Sequence, residues 1–258
     1  MWYAIGAYFK YILKRKRAAH SAFVYKFITQ VLQNKETNTL WTEIEKRRNY
    51  LSHNQKTICV LDLGAKGQGQ NRVSIRKIAS IVKTSSKSAK IYRVLSRIVQ
   101  FYNLENIVEF GTSFGLSTAY IATANATSKV FTVEGCPEIS KIASETFKEL
   151  KLNNIEQINV DFDYAIKHFA DKFHNLDFFF VDGNHDYVPT INYFNFAKQY
   201  AKENTIFVFD DIYWSKSMTK AWQTIKADPQ VTITIDLYYI GIVFFRKGIV
   251  KQDFILKI

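Results

Sequence analysis

Asn106-Ile-Val-Glu-Phe-Gly-Thr-Ser-Phe-Gly-Leu-Ser117 is the stretch on which the fold turns. Its first five residues read as a buried strand. Gly111 and Gly115 then allow a tight turn and a close approach of a ligand to the backbone, because neither carries a Cβ. A helix opening near Ser117 points free N–H groups and the positive end of its dipole at the same place. In open α/β sheets, ligands bind at such carboxyl ends of strands. The spacing is Glu-x-Gly-x-x-x-Gly-x-Ser, whereas a dinucleotide loop is Gly-x-Gly-x-x-Gly. Ser113 stands where the second dinucleotide glycine would be and would crowd a pyrophosphate, so a ligand without one suits the loop better. Taken alone, the loop fits an ordinary βα turn equally well.

Downstream, Val130-Phe-Thr-Val-Glu134 is a second strand, ending in an acid about 20 residues after the last glycine, the spacing of a carboxylate that binds ribose hydroxyls. Its two oxygens match two vicinal hydroxyls. A solvated strand-end acid is the alternative. Beyond it, strand-like runs (129–133, 157–160, 176–181, 205–209) alternate with helix-like ones (117–123, 138–150, 163–169, 190–202), as in a parallel sheet covered by helices on both faces. Val231–Leu237 and Gly241–Arg246 are joined by a short connection and predict an antiparallel hairpin.

Upstream, the chain reads differently. Residues 1–100 hold 20 Lys/Arg against 4 Asp/Glu, a net +16; residues 101–258 hold 15 against 19, a net −4; together they give the +12 of the 258-residue chain. Residues 1–100 are therefore expected to form a basic, mainly helical extension, and 101–258 the catalytic unit. Residues 1–50 have an apolar series (Phe23, Phe27, Ile28, Val31) at helical steps. Their basic face fits an anionic membrane surface or a solvated helix packed on the main unit. Residues 58–63 are a short strand, and Gly64–Gly69 with Arg72, Arg76 and Lys77 form a weak phosphate cradle or a plain flexible loop. Residues 73–101 read as helices interrupted at Lys83–Ser88.

The positive charge lies outside the acidic unit, which weighs against a polynucleotide substrate. Cys59 and Cys136 lack metal-ligand spacing and fit a reducing compartment. The apolar run Met1–Leu13 precedes Lys14-Arg15-Lys16-Arg17, the wrong order for a secretory signal, and it is too short to span a bilayer. A cytoplasmic location follows as the expectation, with the basic segment free to lie against the inner face of the membrane.

Val108–Ser117 and Val133-Glu134 resemble the first two motifs of the class I S-adenosylmethionine-dependent methyltransferases, in the branch of catechol O-methyltransferase-like and sugar or antibiotic O-methyltransferase-like enzymes. The resemblance covers about residues 104–247. It implies a Rossmann-like, mostly parallel seven-stranded sheet with its sixth and seventh strands antiparallel, and S-adenosyl-L-methionine as cofactor. Glu109, Gly111, Ser113 and Gly115 are then expected around the methionine end, with Thr112, Ser117, Gly135 and Asp182 in the same candidate set. Glu134 holds the ribose, and Asp161 and Phe162 lie near the adenine. A small-molecule, sugar or phenolic acceptor is implied, and a homodimer is compatible.

Two further strand ends carry acids, in Phe178-Phe-Phe-Val-Asp182-Gly-Asn-His185 and Phe207-Val-Phe-Asp210-Asp211. If the strands are neighbours, Asp182, Asp210 and Asp211 converge, and clustered carboxylates repel unless a cation or a proton joins them. Oxygen ligands suit Mg²⁺, Mn²⁺ or Ca²⁺. The resemblance implies a divalent metal at these three positions that lowers the pKa of an acceptor hydroxyl. Hydrogen-bonded strand ends without metal are the alternative. His185 is the best general-base candidate, beside Asp182. Some relatives carry an acid where this chain has Asn184, which leaves the identity of the base open. Trp214, Ser215, Met218 and Trp222 either wall an acceptor pocket or belong to the core.

Rival readings fare less well. The Asp/Asn-Pro-Pro-aromatic motif of nucleic-acid N-methyltransferases is absent, since no two prolines adjoin. Cys136-Pro137 reverses the order a cytosine C5 enzyme needs. A non-catalytic cofactor-binding protein stays open as an alternative.

Overall fold

The structure, a computed structural model, describes residues 21–64 and 72–258. The apolar run 1–13, the basic run 14–17 and most of the Gly64–Gly69 loop lie outside the described residues.

The central sheet is built from strands that are apolar on both faces. β3 (Asn106–Phe110), β6 (Phe178–Val181) and β7 (Ile206–Asp210) are buried almost throughout, as expected of parallel strands covered on both sides. Side chains alternate between faces. Phe178, Phe180, Ile206 and Val208 belong to one core, and Phe179, Val181, Phe207 and Phe209 to the other. With β4 (Lys129–Val133), β5 (Ile155–Ile158), β8 (Ile233–Asp236), β9 (Ile240–Phe244) and β10 (Gln252–Ile255), the sheet runs in the order β10-β8-β9-β7-β6-β3-β4-β5. β9 alone is antiparallel to its neighbours, so the expected C-terminal hairpin is present. The sheet has eight strands rather than seven. The extra one, β10, pairs parallel with β8. Its four residues begin with the polar pair Gln252-Asp253 at the sheet edge, and no apolar period announces them.

Helices α1 (Ala22–Phe27), continued by a π-turn over Ile28–Leu32, α2 (Thr39–His53) and α4 (Ala89–Tyr102) lie on one face. Val24, Phe27, Val31, Trp41 and Ile44 share a core with α4, with α5 (Leu116–Ala122) and with the sheet. On the other face sit α7 (Phe162–His168), α8 (Tyr187–Lys198) and α9 (Lys216–Ala227). The described part of the basic N-terminal region, from residue 21 on, thus shares the sheet's own core, and position 100 falls inside α4.

Arg72–Lys77 is a strand, β2, and not the start of a helix. It pairs antiparallel with β1 (Thr57–Asp62), Cys59 opposite Ile75. The alternation Arg-Val-Ser-Ile-Arg has the period of a strand, but Val73 and Ile75 face solvent, so no buried face marks it. After β2 comes α3 (Ile78–Ser85). It packs with β1, Phe114, Cys136 and Ile142 of α6 (Pro137–Glu149) in a third small core, and so sets the hairpin over the sheet's carboxyl edge. Among the described residues, no helix is long and apolar enough to cross a membrane.

Because α4 shares one core with the N-terminal helices and the sheet, Leu95→Ala, at a residue fully buried in the native chain, is expected to lower global stability by about 2–5 kcal/mol. Denaturant unfolding followed by circular dichroism should remain a single transition. Two separate transitions would mean that the basic region is an independent unit.

Candidate active site

At the carboxyl edge, the tips of β3 and β4 are tied together. The N–H groups of Gly111 and Thr112 both donate to the Val133 carbonyl, at 3.0 and 3.2 Å. Ser113, in the left-handed region at φ 48°, turns its N–H onto Glu134 Oε2 at 3.0 Å, and the Cys136 N–H donates to Oε1 at 2.9 Å. Gly111 is held at φ +105°, and a Cβ there would lie 1.9 Å from the Asp182 carbonyl oxygen. Only glycine fits where β3 and β6 approach, and the same bareness opens the crevice.

A cavity of about 380 Å³ lies above these tips. Gly111, Ser113, Glu134 and Gly135 form its floor, and Asp161, Phe162 and Asp182 line the side toward β6. Phe162 stacks on Phe110 at 4.9 Å between centroids and covers Gly183, where a Cβ would meet its ring at 2.7 Å. Leu61, Leu63 and Arg76 of the β1–β2 hairpin complete the wall. Sequence reasoning missed this contribution, because nothing local in 57–77 points to β4.

Four other predicted cofactor residues stand behind the loop rather than in the cavity wall. Glu109 is buried and accepts hydrogen bonds from Ser117 Oγ at 2.7 Å, Thr132 Oγ1 at 2.7 Å and Thr118 Oγ1. Burial raises its pKa against the pull of these three hydroxyls. Thr112 bonds Thr132 at 2.6 Å. At Gly115 (φ +79°) a Cβ would meet the Phe147 ring at 2.5 Å.

The second group of acids does converge. His185 Nε2 lies 3.6 Å from Asp182 Oδ1 and 3.8 Å from Asp211 Oδ2. Ligand atoms of Asp182, His185 and Asp210 come within 4.8 Å of one another. Asp211 and Asn184 are both left-handed, at φ 52° and 49°, conformations that short polar side chains tolerate. Lys87, which no motif singled out, reaches into the cluster: its Nζ is 2.9 Å from Asp210 Oδ2 and 2.5 Å from Asp211 Oδ1. The chemistry of a lone lysine in a Ser/Thr/Lys stretch gave no signal for this. Burial disfavours the Lys87 charge, but Asp210, Asp211 and Asp182 together outweigh it and raise its pKa. Burial, followed by the charge of Asp210, holds the Asp182 carboxyl well above its usual range. Asp210 is raised by burial too, against the pull of Lys87.

Beside the cluster is a second cavity, about 410 Å³, lined by Lys87, Asp211, Tyr213, Trp214, Tyr238 and Tyr239, among others. Of the four residues suggested as a pocket wall, only Trp214 lines this one. Met218 and Trp222 are core, and the Ser215 hydroxyl caps α9 by accepting the Met218 N–H at 3.0 Å.

Residues 108–212 match a family described as a methyltransferase domain. The uncharacterized protein R132 of Acanthamoeba polyphaga mimivirus is 36% identical over 83 residues, which span 30% of this chain and 38% of that relative. An O-methyltransferase from Bacillus cereus, solved with S-adenosylhomocysteine, superposes with TM-score 0.58 at 18% identity, over 86% of this chain and 97% of that one. The S-adenosylhomocysteine-bound methyltransferase PaMTH1 of Podospora anserina gives 0.62 at 12% identity, over 90% and 99%. TomG of Streptomyces achromogenes, an O-methyltransferase of tomaymycin synthesis solved with S-adenosylmethionine, gives 0.57 at 16%, over 86% and 95%. Family match and sheet order agree on the class of domain: this chain carries a methyltransferase domain over residues 108–212. More particularly, it has the fold shared by the O-methyltransferases of that class.

A divalent ion at Asp182, Asp210 and Asp211 has to be weighed against the donor set. Asp210 is buried, and among the described residues its oxygens meet no backbone N–H or hydroxyl donor, only the Asp182 carboxyl and the Lys87 ammonium. The ammonium of Lys87 already lies against Asp210 and Asp211. Asp182, His185 and Asp210 are close enough to share an ion, but with the ammonium in this place the acids Asp182, Asp210 and Asp211 do not fit a divalent ion.

Burial raises the Glu134 carboxyl to about 7, against the backbone N–H groups that lower it. A carboxylate accepts from two hydroxyls, whereas a carboxylic acid has given one acceptor position to its own proton. Affinity for S-adenosylhomocysteine should therefore rise as pH climbs through 7, by about tenfold between pH 6 and pH 8, following the ionised fraction. Calorimetric titration across that range checks it, and Glu134→Gln should bind more weakly with no such slope.

Proposed function

We propose that this chain transfers the methyl group of S-adenosylmethionine to a hydroxyl oxygen of a small molecule. The observation that carries the reading is the clamped carboxylate of Glu134 facing a glycine-floored crevice beside Ser113. In that crevice Glu134 accepts from the two ribose hydroxyls, Phe162 and Asp161 border the adenine, and Gly111 and Asp182 border the amino-acid end. The cofactors named in the neighbouring structures support this choice of ligand.

The second cavity is the proposed acceptor site. Its aromatic wall suits a phenolic or sugar ring, and Lys87 and Asp211 supply polar contacts at one side. The acceptor oxygen attacks the sulfonium methyl carbon in line. The carbon–sulfur bond breaks with its electron pair kept by sulfur, giving neutral S-adenosylhomocysteine, and the hydroxyl proton passes to a base. His185, half-buried and held beside Asp182 and Asp211, is the proposed base. Catalysis then rests largely on positioning two bound molecules.

S-adenosylhomocysteine should raise the melting temperature, because it binds the folded chain alone, and Glu134→Ala should abolish most of that rise. His185→Ala should keep the rise while losing most methyl transfer to a panel of radiolabelled phenol and sugar acceptors. No rise in the unaltered chain would refute the reading.

A further inference from the structure

We propose that Lys87 is a built-in cation at the acid cluster, standing where a divalent ion would otherwise bridge the carboxylates and making methyl transfer independent of added metal. The proposal rests on the methyl-transfer reading for its consequence, but the Lys87 assignment itself rests on geometry.

Asp210 is a buried acid that meets no backbone N–H or hydroxyl donor among the described residues, and the groups that face it are the Asp182 carboxyl and the Lys87 ammonium. A buried, uncompensated carboxylate is costly, and the Lys87 ammonium at 2.9 Å is the cation that meets it. The same ammonium reaches Asp211 at 2.5 Å. His185, Asp182 and the buried Tyr92 are further titratable groups that face these acids. A doubly charged ion on Asp210 would sit within a few ångströms of that ammonium and repel it strongly in a partly buried site. Lysine and metal are alternative occupants.

The lysine is delivered by a rigid mount. Its N–H donates to Tyr92 Oη at 3.0 Å, and its carbonyl accepts from Arg48 Nη1 at 2.7 Å. Tyr92 is buried in α4, and Arg48 of α2 lies over the Tyr92 ring at 5.1 Å. Two helices of the N-terminal region thus place one residue between α3 and α4 at the ends of β6 and β7. That gives the basic region a role in the site that its net charge did not suggest. Because Lys87 also lines the second cavity with Tyr213 and Trp214, it borders the space where an acceptor oxygen would develop negative charge. A lysine offers there a compact point charge with three donors, without the fixed coordination of a metal.

The test is thermal unfolding of the full chain and of K87R, K87A and the K87A/D210N pair, each with millimolar MnCl2, with S-adenosylhomocysteine, or with neither. The expected result is no shift with Mn²⁺ for the unaltered chain and K87R. K87A should melt lower, regain several degrees with Mn²⁺ as the emptied acids take up the ion, and lose that gain in K87A/D210N. A saturable Mn²⁺ shift in the unaltered chain would overturn the proposal, as would indifference of K87A to the ion. Should K87A fail to fold, calorimetric titration of Mn²⁺ into the unaltered chain decides: saturable heat overturns the proposal and its absence supports it. The S-adenosylhomocysteine arm reads separately, since a missing shift there defeats the methyl-transfer reading while the metal arms still report on Lys87.

Discussion

Two backbone N–H groups at the end of β3 share one carbonyl at the end of β4, and the site depends on that contact. It fixes how far apart Gly111 and Glu134 lie, and it leaves the next N–H, that of Ser113, to hold the carboxylate. The bond contributes little on its own, about 1 kcal/mol of net stabilisation for an ordinary backbone pair. Its importance is geometric, because a crevice between strand ends is a ligand site only if both tips are held. Glu109, Thr112 and Ser117 serve this from behind with a closed network of hydroxyl donors on one buried carboxylate.

A second constraint is electrostatic. The strongly apolar strand β6 runs into Asp182 and β7 ends at Asp210 with Asp211 next, so carboxylates cluster at the carboxyl ends of two buried strands. Such an arrangement is unstable without a partner. The chain answers it from the N-terminal region, whose lysines and arginines otherwise look like mere surface charge. Arg47 is another case: it is buried, bonds Thr146 and pairs with Glu149 of α6. Basic residues here knit the helices onto the sheet.

The parallel sheet, its antiparallel β9 and the Gly111–Glu134 crevice were legible because each has a local signature: a continuous apolar run, a glycine pair, or an acid at a set spacing. The acids of β6 and β7 were legible for the same reason. β10 and β2 were not, since β10 is short and polar at its start, and the apolar residues of β2 face water. Lys87 and the Leu61–Leu63 wall depend on contacts across the chain, Lys87 to Asp211 spanning 124 residues. No pattern within a window encodes such a meeting. Trp222 shows the converse: its spacing admitted a pocket role, but the ring packs over Gly241 in the core.

The most direct measurement is a crystal structure of the full chain grown with S-adenosylhomocysteine. The account predicts the ligand in the crevice between Gly111 and Glu134, both ribose hydroxyls within hydrogen-bond distance of the Glu134 carboxylate, and its sulfur on the side of Asp182. A ligand bound elsewhere, or a crevice filled by the β1–β2 hairpin with the ribose far from Glu134, would contradict it.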